Sequence, residues 1–115
     1  MDTLLGENGC PWDKDQTHKS LCPYMMEECQ EAVDAINKND MDSLKEELGD
    51  VLLQVVFHAK LAQNAGHFNM DEIITTLADK LIRRHSHVFG DDVGKVKNAD
   101  EAVKLWNINK GIVSG

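Results

Sequence analysis

Apolar positions recur at helical spacing along most of the chain. From Pro23 to about Lys38, Met25, Cys29, Ala32 and Ile36 fall at i, i+4, i+7 and i+11, with Pro23 suited to a first helical turn. The polar stretch from Asn37 to Asp42 reads as a tight turn. Ser43 with Glu46 forms a capping-box pattern that opens a second helix, running to about Ala65 with Gly66 as its stop. Asn69 and Glu72 open a third helix through Met70, Ile73, Ile74, Leu77, Leu81 and Ile82, ending near His85. Gly90 to Lys97 reads as a loop. Asn98 with Glu101 caps a fourth helix through Ala102, Val103 and Trp106 towards Lys110, ahead of a tail over residues 111–115. Residues 1–15 read as irregular, broken by Gly6, Gly9 and Pro11. With few strand-like segments and no linker, the expectation is one all-α domain over residues 1–115, a bundle of four to five helices.

From Val51 onward the second helix is apolar nearly all round, because Leu53, Val56, Phe57 and Leu61 cover the face away from its Leu44/Leu48/Val51/Val55 stripe. A chain of 115 residues has little with which to bury such a helix. Packing against a second copy is the economical solution, so a homodimer or higher homo-oligomer is expected, the alternative being a central helix surrounded by its own chain.

Composition narrows the partners. A net charge of -8 disfavours a nucleic-acid polymer, which needs a basic face, but allows a nucleotide carried by a metal ion. No apolar run approaches the ~20 residues of a membrane span, and the first residues lack a basic-then-apolar leader pattern, so a cytoplasmic protein without membrane partners is expected. Cys10, Cys22 and Cys29 lack CxxC spacing and read as reduced thiols.

The informative chemistry is acidic. Glu28 and Glu31 form an i, i+3 pair on the first helix, and Glu47 and Asp50 form another on the second. At 100° per residue, Glu28 and Glu31 lie roughly 80° and 140° to one side of the first apolar stripe, and Glu47 and Asp50 repeat those angles on the second. Glu27, Asp34 and Glu46 point away. Two antiparallel helices would therefore aim four carboxylates at one point, where they repel unless a cation sits among them. The bland alternative is four surface acids on amphipathic helices. Hard oxygen donors without a neighbouring His or Cys favour Mg²⁺, with Mn²⁺ as a substitute, over zinc.

Lys80, Arg83 and Arg84 gather at the end of the third helix, either as a phosphate clamp or as the basic complement of a helix C-terminus. His85 and His87 lack a third soft ligand at suitable spacing. Trp12 and Trp106, the two tryptophans, read as packing anchors or base-stacking platforms.

In combination, Glu27-Glu28-Cys29-Gln30-Glu31, Glu47-Leu48-Gly49-Asp50, Cys10-Pro11-Trp12-Asp13, the stretch Gly49 to Phe57, Lys80 to His85 with His87-Val88-Phe89, and Trp106 resemble the MazG-type nucleoside triphosphate pyrophosphohydrolases, over about residues 6–110. The resemblance implies an oligomeric all-α fold and Mg-dependent hydrolysis of an NTP or dNTP to the monophosphate and pyrophosphate, in the manner of a house-cleaning enzyme of nucleotide pools. Glu28, Glu31, Glu47 and Asp50 would be the metal-holding catalytic residues, one of them a general base. Lys80, Arg83 and Arg84 would meet the triphosphate, and Trp106 the nucleotide. Narrower relatives, hydrolysing dUTP or phosphoribosyl-ATP, and a non-catalytic nucleotide-sensing or dimerisation module are the competing readings.

Overall fold

In a computed structural model, the backbone is described for residues 1–89 and 97–112, with side chains through Asn109 apart from His87 and Phe89. The expected loop from Gly90 to Lys97 therefore falls almost wholly outside the described residues. Among those described, every regular element is helical: α1 (Asp2–Leu5), α2 (Pro11–Lys14), α3 (His18–Asn37), α4 (Met41–Asn64), α5 (Met70–Arg84), α6 (Ser86–Phe89) and α7 (Ala99–Ile112). The four long helices are the four expected from periodicity. The three short ones were not expected, and α7 continues through Gly111, where a tail was predicted. Contacts divide the chain into two compact units, Met1–Met70 and Asp71–Gly115.

The first unit is organised by the α3–α4 hairpin. α3 starts at His18 rather than at Pro23, because Thr17 and Ser20 form a reciprocal cap: the Ser20 N–H donates to Thr17 Oγ1 at 3.0 Å and the Thr17 N–H to Ser20 Oγ at 2.8 Å. Pro23 thus lies inside the helix, where it offers no N–H to the Lys19 carbonyl. At the other end, Asn39 takes a left-handed φ of 56°, and the Asn39 and Asp40 N–H groups close back on Ile36 and Ala35 at 3.0 Å. Asp40 then caps α4 itself, accepting from the Ser43 N–H at 3.1 Å and its hydroxyl at 2.8 Å. The expected cap at Ser43 is therefore displaced by three residues. Only Lys38, Asn39 and Asp40 separate the helices, which fixes them antiparallel and sets their register.

α4 ends as its sequence predicts. Gly66 adopts φ 80°, and the Gly66 and His67 N–H groups bond the Gln63 and Ala62 carbonyls at 3.1 and 2.9 Å. The first 15 residues, expected to be irregular, are two single-turn helices joined by a compact turn. The Cys10 N–H reaches the Leu4 carbonyl at 3.0 Å, and a Cβ on Gly9 would collide with that same carbonyl. An ion pair from Asp2 to Lys60 ties this segment to α4, and Lys60 holds the Asp2 carboxyl below its usual range.

The buried apolar side chains are Leu21, Ala32, Ala35, Phe57, Ala59 and Ala62. On α3 this face is rotated roughly 55° from the stripe read in sequence, towards Glu28 and Glu31. Ile36 and Cys29, expected in the core, are exposed, as is Leu48 on α4. Small side chains explain the rotation: Ala32 and Ala35 let α4 approach closely, whereas the larger Ile36 and Leu48 stay at the surface. Leu52 and Leu53 of α4 are also exposed, while Gln54 is buried. Among the described residues, no helix is long and apolar enough to cross a membrane.

In the second unit, Asn98 caps α7 by accepting from the Glu101 N–H at 2.9 Å, and Glu101 Oε2 reaches back to the Lys97 N–H at 2.8 Å. α6 packs on α7, with Asn109 Nδ2 donating to Ser86 Oγ at 2.9 Å.

Candidate metal centre

The rotation of α3 turns its carboxylates towards those of α4. Glu28, Glu31 and Glu47 are half-buried and Asp50 is exposed at the margin, and one oxygen from each of the four lies within 4.8 Å of the others. They were expected to flank the seam; Glu28 instead shares the buried face with Leu21 and Ala35. Glu27 and Glu46 are exposed and stand outside the group. Asp34, also read as pointing away, lines a cleft of about 220 Å³ beside Glu31 and Glu47, together with Ala35, Lys38, Asp40 and Ser43.

Electrostatics shows the cost of this convergence. A proton shared with Glu31, reduced solvation, and the charges of Glu31, Asp50 and Glu28 push the Glu47 carboxyl up to about 7. Glu28 is also raised, first by burial and then by the charges of Glu31 and Asp50. Glu28 Oε2 and Glu47 Oε2 are buried without a hydrogen-bond partner. A buried carboxylate oxygen that accepts nothing is costly to retain, and two in one cluster of four acids favour a positive ligand.

The donor set fits such a ligand. Oxygens held at about 2 Å from a Mg²⁺ ion lie about 3 to 4 Å apart, so four oxygens within 4.8 Å of one another need only a modest closure to surround it. All four donors are hard anionic oxygens, which suits Mg²⁺ or Mn²⁺.

The remaining sequence candidates lie in the second unit. Lys80 and Arg84 are half-buried on α5, and Arg83 is exposed. The Arg84 guanidinium carbon lies 5.1 Å from the centre of the Trp106 ring, and His85 meets that ring edge-on at 5.0 Å and 73°. Trp106 is thus engaged by its own chain, a contact that periodicity gave no means of seeing.

Sequence reading passed over two further pairs. His18 and His58 stack at 5.0 Å with their Nδ1 atoms 2.7 Å apart, so one donates a proton to the other. Burial, and then His18, lower the His58 pKa. Trp12 stands edge-on to Tyr24 at 5.5 Å and 81°, which gives the expected packing role of Trp12 a partner. Both histidines lay in view in the sequence, but forty residues apart, with no local pattern to join them.

Known proteins resemble the chain in sequence and in shape. Residues 16–89 match the MazG nucleotide pyrophosphohydrolase domain. The nucleoside triphosphate pyrophosphohydrolase/pyrophosphatase MazG of Thermotoga maritima is 56% identical over 110 residues, covering 96% of this chain and 43% of that protein. The nucleoside triphosphate pyrophosphohydrolase of Escherichia coli K12 is 49% identical over 100 residues, covering 87% of this chain and 37% of that protein. The chain thus spans less than half the length of these relatives. A crystal structure of a mazG-related protein from Thermotoga maritima superposes with a TM-score of 0.71 at 27% identity, covering 89% of this chain and 87% of that one.

Proposed function

Because the chain belongs to the MazG nucleotide pyrophosphohydrolase family, we propose that it hydrolyses nucleoside triphosphates, ribo or deoxy, to the monophosphate and pyrophosphate, with Glu28, Glu31, Glu47 and Asp50 holding Mg²⁺. One observation carries the reading: four carboxylate oxygens within 4.8 Å of one another, with the buried oxygens of Glu28 and Glu47 left without a hydrogen-bond partner. The names of the similar proteins from Thermotoga maritima and Escherichia coli point to the same reaction.

Bound Mg²⁺ supplies charge neutralisation at the phosphate oxygens and a more acidic water at neutral pH. The protein's own part is to hold the carboxylates at the seam, where the antiparallel register of α3 and α4 fixes them before substrate arrives. A carboxyl raised to about 7, as that of Glu47 is without a cation, gives up its proton when the ion binds, so binding near neutral pH is coupled to proton release. To Lys80, Arg83 and Arg84 we assign the charge that builds on the β- and γ-phosphates during cleavage, which arginine forks and a lysine point charge stabilise.

We also propose a homodimer or larger homo-oligomer, working in the cytoplasm on the nucleotide pool. Leu48, Leu52 and Leu53 on α4, at 53%, 55% and 46% exposure, supply the apolar surface for a second copy. The direct test is pyrophosphate release with Mg²⁺ across the eight common NTPs and dNTPs. Broad release supports the proposal, turnover of one substrate alone converts it to a narrow-specificity enzyme, and no release from any of them removes it in favour of a sensing module.

A further inference from the structure

The planes of His18 and His58 are nearly parallel, 9° apart, and the 2.7 Å between their Nδ1 atoms takes up more than half of the 5.0 Å between ring centres, so these two nitrogens are directed at each other. A neutral pair owns two ring protons. One lies between the Nδ1 atoms, and the other sits on one of the two Nε2 atoms. His18 is exposed, whereas His58 Nε2 is buried and has no hydrogen-bond partner. The outer proton therefore belongs on His18, where water accepts from it, and His58 supplies the shared one. A third proton has no such place. With the bond between the rings kept, both Nε2 atoms must then be N–H groups, and that of His58 is a buried donor with nothing to accept it. Less is lost if His18 carries the charge and turns out into water, which breaks the pair.

We infer that the His18–His58 pair is an acid-released latch, which holds the first turns of α3 against α4 near neutral pH and lets them part when the pair takes up one proton. The charges around it leave that role to the pair itself. Lys60 of α4 and Asp2 of α1 are joined in an ion pair, Lys14 of α2 directs its ammonium at the Glu7 carbonyl, and Lys19 of α3 is exposed. Burial first, and then His18, lower the pKa of His58 from 6.5, so the latch is closed above that value and opens as pH falls through the depressed one. The opening is local. Lys60 holds the Asp2 carboxyl below its usual range, so the tie from α1 to α4 outlasts the latch, while Leu21, buried three residues after His18, loses the bond that presses its turn onto α4.

Imidazole nitrogen shifts of the full chain, read by NMR at pH 8, test the proton count without any variant. His58 is expected as the Nδ1–H tautomer and His18 as the Nε2–H one, and a proton on His58 Nε2 at that pH overturns the inference. Hydrogen exchange of the Leu21 amide, which donates to the Thr17 carbonyl at 3.1 Å, tests the release. Its protection, taken relative to an unstructured peptide at each pH, is expected to fall by about tenfold or more between pH 8 and pH 5. His18→Gln keeps an acceptor for His58 but does not titrate. In that variant, with helicity checked, the fall is expected to shrink to within about twofold. Protection of Leu21 that is independent of pH in the unmodified chain overturns the latch, and so does an equal fall in His18→Gln.

Discussion

The α3–α4 hairpin carries two polar clusters about 17 Å apart along α4, judging by the rise between Glu47 and His58, and they solve one problem differently. His18 and His58 bond each other, one imidazole donating and the other accepting across 2.7 Å, and a single buried nitrogen, His58 Nε2, is left without a partner. The carboxylates cannot do so among themselves. Four acceptors offer at most the protons they retain, so Glu47 is driven up to about 7 and two buried oxygens remain without a partner. A pair that can both donate and accept reads as structure, whereas four mutually repelling acceptors read as a candidate site.

The largest break in that comparison comes from removing one carboxylate. Glu47→Gln is expected to lower pyrophosphate release by more than about a hundredfold, beyond the loss typical of an outer-shell partner of a metal ligand. The same change is expected to raise the melting temperature of the metal-free chain at pH 8, because it removes repulsion at the seam. Glu46→Gln, on the exposed side of the same helix, should leave both quantities nearly unchanged. Equal losses of activity in the two variants would show that the assignment of residues is wrong.

The pH dependence separates the clusters by sign. The folded-state pKa of Glu47 is raised from 4.5 to about 7, so the folded chain holds more protons than the unfolded one between those values. Its contribution to metal-free stability is therefore present at low pH and lost as pH rises through 7. The pKa of His58 is instead lowered from 6.5, so its contribution is present above 6.5 and lost as pH falls through the depressed value. Thermal melts from pH 4.5 to 8.5 check both. Millimolar Mg²⁺ is expected to raise the melting temperature by several degrees at pH 8 and much less at pH 5, where carboxyl protons compete with the ion. A Mg²⁺ effect independent of pH would argue against the carboxylates as its binding site.

Smaller effects test the structural half of the comparison. His18→Ala should cost about 1 kcal/mol in urea unfolding at pH 8, the usual scale of one hydrogen bond, and leave pyrophosphate release within about twofold. Loss of catalysis on that change would give the histidine pair a role in the reaction. Smallest of all, Asn39→Gly should stay within about 0.5 kcal/mol, because glycine accepts the left-handed conformation of the turn.

Much of the fold was legible because helices announce themselves locally. The four long helices, the stop at Gly66 and the cap at Asn98 follow from residues close together in sequence. Pro23 misled because a proline suits a first turn in general, while the stronger reciprocal cap at Thr17 and Ser20 begins the helix earlier. Ser43 misled in a similar way, since Asp40, already emerging from the turn, accepts from the Ser43 amide itself and so begins the helix three residues earlier. The two short N-terminal helices depend on one close approach of Gly9 to Leu4, which no periodicity encodes.

The candidate site shows the same division. Spacing alone separated Glu28, Glu31, Glu47 and Asp50 from Glu27 and Glu46, because helical geometry fixes the direction of each side chain relative to its own axis. Spacing could not say how each helix is turned about that axis. Ile36 and Leu48 dominated the apolar pattern, yet the small Ala32 and Ala35 decided which face meets α4. By itself, then, the sequence determined the helices, the four carboxylates and the family. Only the tertiary structure decided that those carboxylates lie within the seam, that His18 finds His58, and that Arg84 rests on Trp106, because each depends on close packing between residues that no local rule connects.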